Sequence, residues 1–148
     1  MRVVRIRTAG LEDLEAVSKV EGACFDSERY PVTVLRAMLS EEGFTTFVAE
    51  EDGAIGSATL HHRPGASVAQ VVSLGVVPSH RHRGVATELL RTLEDLAKRS
   101  GTRRMVLQVG VLNVPAINLY LHHGYVLRGT IRDYYGPGKD AYYMMKRL

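Results

Sequence analysis

An apolar run from Val71 to Val77, a proline at Pro78, the stretch Arg81-His82-Arg83-Gly84-Val85-Ala86 and an amphipathic segment from Val85 to Lys98 follow one another directly. This order predicts a strand, a short glycine-bearing loop and the start of a helix. The first N–H groups of a helix have no internal partner and lie at the positive end of its dipole, so such a loop suits a phosphate. Arg81 and Arg83 add fixed positive charge, and Gly84 lets a ligand approach the backbone closely.

The remaining periodicities define what surrounds this unit. Val3 to Arg7 alternates as a strand does. Leu11, Leu14, Val17, Val20 and Ala23 recur every third residue, predicting a helix that starts at Thr8 or Gly10 and is broken by Tyr30-Pro31. Thr33 is the expected cap of a second helix carrying Val34, Leu35, Met38 and Leu39. Thr45 to Glu50 and Ala54 to His62 flank Asp52-Gly53, a hairpin signal. Ser67 to Val77 predicts a long strand. After the helix, ended by Ser100-Gly101, come a buried strand from Arg104 to Val109 and a short helix opened by Pro115 and ended by Gly124. Strands from Tyr125 to Ile131 and from Ala141 to Arg147 follow. The expected order is βααβββαβαββ, an α+β fold with a mixed sheet and helices on both faces, formed as one domain over 1–148.

Charge is unevenly placed. Residues 1–74 carry 7 Lys+Arg against 11 Asp+Glu, and residues 75–148 carry 12 against 5. The second half suits an anionic ligand and the first a cationic one. A nucleic acid would also suit a basic half, but no aromatic residues interleave the basic ones on one strand face. The single cysteine, Cys24, excludes an internal disulfide, fits a cytoplasmic location and reads as a small core residue. No apolar run is long enough for a membrane span or a signal peptide. The pairs His61-His62 and His122-His123 lack further ligands at metal-binding spacing, so no metal is expected.

The pattern Arg81-x-x-Gly84-x-Ala86 resembles the pyrophosphate loop of the GNAT acetyltransferases. Asn113, Ala116, Leu119-Tyr120 and Gly124-Tyr125 resemble a second motif of that family. Asp133-Tyr134-Tyr135 with Asp140-Ala141, and Tyr30-Pro31 after the first helix, resemble the RimI-type and archaeal protein N-terminal acetyltransferases. The resemblance implies an acetyl-CoA-dependent N-acetyltransferase whose acceptor is a protein or peptide N-terminus, a ribosomal protein among the candidates. It implies that Leu74, Val76 and Val77 line the pantetheine path, with a Val76 or Val77 N–H facing the thioester oxygen. Arg81, His82, Arg83, Gly84, Val85 and Ala86 would hold the pyrophosphate, and Asn113 would bond the pantetheine arm. Tyr120 would protonate the departing thiolate, while Tyr30, Tyr134 and Tyr135 would wall the acceptor slot. Without that motif Tyr120 would read equally as a core tyrosine; with it, the acid role is favoured, and Asn113 can also cap the helix at Pro115.

One feature departs from the family. RimI-like relatives carry a glutamate where this chain has Gln108, and some archaeal relatives a histidine where it has Gln70. Glutamine accepts no proton at neutral pH. Either catalysis is weak, or Gln108 and Gln70 order a water that relays the proton. His80, His82, Glu28 and His122-His123 are alternative bases. Acetylation of a small amine, and acetyl-CoA binding without transfer, remain open on the sequence.

Overall fold

The computed structural model describes residues 3–25 and 28–148. Its elements are β1 (Arg5–Thr8), α1 (Leu14–Cys24), α2 (Val32–Ser40), β2 (Phe44–Glu50), β3 (Ala54–His61), β4 (Val68–Val76), α3 (Val85–Arg99), β5 (Arg104–Gly110), α4 (Val114–His122), β6 (Val126–Ile131) and β7 (Ala141–Arg147). The sequence order βααβββαβαββ is the one expected. The seven strands form one sheet in the order β1-β2-β3-β4-β5-β7-β6. Only β4 and β5 pair in parallel, joined through α3; the other neighbours are antiparallel.

Two apolar clusters cover the two faces. Val17 of α1, Leu35 of α2 and Val48 of β2 form the smaller one. Ala49, the next residue of β2, belongs to the larger cluster with Leu89, Leu90, Leu93 and Ala97 of α3. Successive strand residues point to opposite faces, so α1 and α2 lie on one side and α3 on the other. Leu89, Leu90 and Leu93 are fully buried, each stabilising by about 1.5–3 kcal/mol. Tyr120 and Tyr125 pack into the same cluster, edge to face at 5.6 Å.

Two helix starts differ in detail from the sequence expectation. Gly10 opens a single 3-10 turn, Leu11–Asp13, before α1 begins. The Asp13 carboxylate accepts the Gly10 N–H at 2.9 Å and is held by the Arg7 guanidinium. α2 starts at Val32, one residue before Thr33, because the Pro31 carbonyl accepts the Val34 and Leu35 N–H groups, both at 3.0 Å. α4 follows the sequence: Asn113 caps it, its Oδ1 accepting the Ala116 N–H at 3.3 Å, with Pro115 in the first turn.

The buried side of α1 is the larger surprise. Residues spaced by three drift about 60° around a helix with every step. Leu11 and Ala23, at the ends of the predicted stripe, are exposed. The buried positions are Val17, Val20 and Glu21. Glu21, four residues after Val17, is carried inward beneath the sheet.

The parallel pairing of β4 with β5 is short. It runs from Val68 opposite Arg104 to Val71 opposite Leu107 and then stops, while β5 stays paired with β7 as far as Gly110. On its other edge β4 stays paired with β3 to Val76, with a register shift at Thr59/Leu60 that leaves Val72 as the extra residue. The two strands therefore part beyond Val71, opening a gap in the middle of the sheet.

Candidate active site

Two cavities meet at this gap. The larger, about 630 Å³, is lined by the end of β4, the loop 80–82 and the first residues of α3 and α4. The smaller, about 290 Å³, lies between α1, β4, β5 and the tyrosine loop. Phe25, Glu28, Leu74, Asn113 and Ala116 line both.

The loop into α3 is built as an anion cradle. Gly84 caps α3 in the left-handed conformation, φ +81°, and His82 precedes it at φ +62°. The first backbone bond of the helix is Glu88 N–H to Gly84 carbonyl, 3.1 Å. The N–H groups of Val85, Ala86 and Thr87 thus have no intrahelical acceptor. The space a Gly84 Cβ would enter is open, and His80, Arg81 and His82 line the same cavity. These features fit a phosphate-bearing ligand.

Arg81 and Arg83 have different surroundings. Arg81 Nε donates to the Val76 carbonyl at 2.9 Å, fixing the loop to the end of β4. Arg83 is absent from the cavity lining; its Nη2 donates to Glu51 Oε2 at 2.9 Å. Glu51 is buried in the turn after β2, and His80 Nε2 approaches its other oxygen at 3.9 Å. Glu51 therefore ties the cradle to the β2–β3 turn, a role that no local sequence pattern announces.

Backbone direction along β4 separates Val76 from Val77. The Val77 N–H donates to the Ile55 carbonyl at 2.8 Å, toward β3. Hydrogen-bonding direction alternates along a strand, so the N–H groups of Val76 and Leu74 point into the gap. Val77 packs against the main core, outside the cavity lining. This corrects the equal expectation for the two valines: only the Val76 N–H is free to face a ligand there.

Cys24, expected in the core, is half-buried and lines the larger cavity. A Cβ on Gly75 would stand 2.9 Å from its Sγ, so the end of α1 packs on β4 only because residue 75 is glycine. Burial pushes the thiol's pKa up, and such a thiol is a poor nucleophile.

The smaller cavity gathers Tyr30, Gln108, Tyr120, Tyr134 and Tyr135, residues far apart in sequence. Tyr134 and Tyr135 stack edge to face at 4.8 Å. Their loop is braced by Asp133, whose Oδ1 accepts the Gly138 N–H at 2.7 Å, and by Asp140, which accepts the Asp133 N–H at 3.0 Å. Tyr30 Oη donates to the carbonyl of Val72, the extra residue of β4, at 3.2 Å. Burial pushes the Tyr30 phenol up to about 12. Tyr120 is 6 % exposed, and burial raises its pKa well above the ordinary tyrosine value. A phenol so placed stays protonated and able to donate.

Gln70 and Gln108 bond to each other, Gln70 Nε2 to Gln108 Oε1, at 2.6 Å. Gln108 faces the smaller cavity and Gln70 stands behind it. Of the alternative bases, Glu28 lines both cavities, His80 and His82 only the larger, and His122 and His123 neither. His123 Nε2 is paired with Thr87 Oγ1 at 3.1 Å. Glu21, which the sequence pattern did not single out, lines the smaller cavity. That cavity contains Glu21 and Glu28 and, among the described residues, no Lys, Arg or His. Among the described residues, no cluster of three or more His, Cys, Asp or Glu could hold a metal ion, and no helix is long and apolar enough to cross a membrane.

With the strands parted beside a helix start whose N–H groups are free, the chain also matches the acetyltransferase (GNAT) family over residues 11–125. The chain belongs to that family and is an N-acetyltransferase. It is 32% identical to an N-alpha-acetyltransferase of Sulfurisphaera tokodaii, over 97% of this chain and 93% of that one. Its fold is similar to the ribosomal-protein-S18-alanine N-acetyltransferase of Escherichia coli, with TM-score 0.89, 21% identity and coverage of 99% and 94%. It is also similar to Arabidopsis thaliana NAA60 in complex with acetyl-CoA, with TM-score 0.86, 19% identity and 99% of both chains covered.

Proposed function

We propose that this protein transfers the acetyl group of acetyl-CoA to the α-amino group of a protein or peptide N-terminus. The observation that carries the reading is the meeting of two cavities of opposite character at the β4–β5 gap. One has a basic anion cradle; the other is an acidic, tyrosine-walled slot. An ammonium and a polyanionic thioester would enter from opposite sides and meet beside Leu74 and Asn113. The names of the relatives in S. tokodaii and E. coli support an N-terminal acceptor.

The residues divide the work as follows. The free N–H groups at the start of α3, with Arg81 and His82, hold the pyrophosphate. Asn113 spends its side-chain oxygen on the α4 cap, which leaves its amide NH₂ to bond the pantetheine arm. The Val76 N–H donates to the thioester oxygen as negative charge develops there. Tyr30, Tyr134 and Tyr135 close the slot around the acceptor's first residues. Tyr120 gives its proton to the departing sulfur. Gln108, its oxygen already accepting from Gln70, offers its NH₂ and one remaining lone pair to a water or to the acceptor backbone, but takes up no proton.

Energetics favour this acceptor. An α-amine of pKa about 7.7–8.0 is held neutral at pH 7 for about 1–1.4 kcal/mol, whereas a lysine side chain of pKa about 10.4 needs about 4.6 kcal/mol. A slot without histidine or lysine suits the weaker base. Acetyl transfer to a peptide library of varied first residue, followed across pH beside polyamines and aminoglycosides, tests the reading. Turnover on peptides is expected, and turnover confined to the small amines would refute it.

A further inference from the structure

We propose that Glu21 is the proton acceptor for the incoming amine, the position that Gln70 and Gln108 leave without a base. The proposal rests on the reading of the smaller cavity as an amine site. Glu21 is 3 % exposed, yet it lines that cavity with Ser73, Gln108 and Tyr120. Both carboxylate oxygens are fixed. Oε2 accepts from Ser73 Oγ at 3.0 Å and Oε1 from the Tyr30 N–H at 3.3 Å. Each oxygen can accept a second hydrogen bond, so the group is held in one orientation with capacity left for an ammonium.

What Glu21 lacks is equally informative. A buried carboxylate is normally paired with a cation, because an unpaired buried charge is costly. The titratable groups around the slot are Tyr30, Tyr134 and Tyr135 from its loops, Tyr120 from α4, Cys24 on the same helix and Glu28 beyond its end. β3, β4 and β5 contribute no charged side chain to the slot among the described residues. Cations near this part of α1 make other contacts: Lys19 pairs with Glu15, Arg29 packs over Gly22 and Arg81 bonds the Cys24 thiol, and none of them is recorded acting on Glu21. Burial raises the Glu21 pKa, moving it from the ordinary carboxylate range toward that of an amine, as proton transfer requires. A buried acid facing a cavity without a cation partner among the described residues lowers stability, as functional groups often do.

The proton balance is complete. One proton passes from the acceptor's ammonium nitrogen to a Glu21 oxygen. The nitrogen lone pair then forms the C–N bond at the thioester carbon, and the C–S bond breaks. The sulfur takes the Tyr120 proton, and the Tyr120 phenolate recovers a proton from the nitrogen, now an amide. Glu21 returns its proton to solvent. Glu28, exposed at the junction of the two cavities, stands on the path outward.

Glu21→Gln is the decisive variant, because the amide keeps the shape, still accepts the Tyr30 N–H and can donate to Ser73. With a peptide that the wild type acetylates, kcat at pH 7 is expected to fall about a hundredfold or more. The acidic limb of the kcat profile should move up to the amine's own pKa, so that the deficit shrinks as pH rises above it. Acetyl-CoA affinity by calorimetry should not change. The melting temperature at neutral pH should hold or rise, since a raised carboxylate pKa opposes folding once the group must ionise. Glu21→Asp should recover part of kcat. Unchanged kcat and pH profile in Glu21→Gln would overturn the proposal. So would a matching loss of acetyl-CoA affinity and melting temperature, or an upward shift of the acidic limb in Glu28→Gln alone. Wild-type turnover on small amines but not peptides would refute the N-terminal reading while leaving Glu21 testable on those amines. A wild type inactive on both would refute the two together.

Discussion

Gln70 donates through Nε2 to Gln108 Oε1 at 2.6 Å, joining β4 and β5 just where their backbone pairing ends. The bond closes the seam behind the acceptor slot with two neutral amides. Neither amide takes up a proton at neutral pH. Proton removal must then come from another wall of the slot, and α1 supplies a carboxylate there.

Tyr120→Phe should lower kcat by at least about tenfold while leaving acetyl-CoA affinity intact. The hydroxyl is the only atom lost, and the ring keeps its contact with Tyr125. The sign with pH follows from burial. A donor must be protonated, and the raised Tyr120 pKa keeps it so throughout the neutral and mildly alkaline range. Loss of activity caused by Tyr120 ionisation is therefore expected only above the ordinary tyrosine pKa of about 10. Steady-state kinetics from pH 6 to 10 would check this, and wild-type turnover in the variant would remove Tyr120 from the acid role.

Gly84→Glu should abolish acetyl-CoA binding. The substitution places a carboxylate at the mouth of the anion cradle and a Cβ on a backbone at φ +81°. Gly84→Ala isolates the second effect. The space is open there, so only the backbone strain remains, of order 1 kcal/mol. Calorimetric titration of both variants separates charge from strain; normal affinity in Gly84→Glu would refute the cradle.

Glu51→Gln should weaken acetyl-CoA binding several-fold with little effect on kcat at saturation. The carboxylate holds Arg83 at 2.9 Å and touches no part of the acceptor slot. Losing a charge-assisted hydrogen bond costs about 1.5 kcal/mol, here spent on ordering the loop. A change in kcat without a change in KM for acetyl-CoA would contradict this.

Tyr125→Phe should destabilise the fold by about 1 kcal/mol without touching the site. Tyr125 is 1 % exposed and its hydroxyl donates to Glu94 Oε2 at 2.8 Å. Lys146 Nζ bridges both Glu94 oxygens, at 3.0 and 3.1 Å, and keeps that buried carboxylate paired in the variant. A melting temperature lower by roughly 3 °C is expected for a chain of this size. An unchanged melting temperature would mean that the phenol–carboxylate bond contributes nothing net.

Much of the fold was legible because local rules decide it. Alternation fixed the strands, Asp52-Gly53 the hairpin, Asn113 and Pro115 the start of α4, and the strand–loop–helix unit around Gly84 the anion cradle. Each of these depends on residues within a turn or two of one another. Tyr30, Tyr120, Tyr134 and Tyr135 were legible as a set through motif resemblance, although their meeting in one cavity depends on the β4–β5 gap.

The sequence by itself determined the order of elements, the charge division between the halves and the glycine-bearing loop that opens α3. Tertiary structure decided which backbone groups and which carboxylates face the site. Val76 and Val77 look alike in the chain, and only the pairing of Val77 with Ile55 separates them. Arg81 and Arg83 look alike too, until Glu51 takes Arg83 from across the sheet. Glu21 reads as one more acid on an acidic helix. Its burial follows from the 3.6-residue turn of α1 packed over Ser73, fifty-two residues away, a contact that no local pattern encodes.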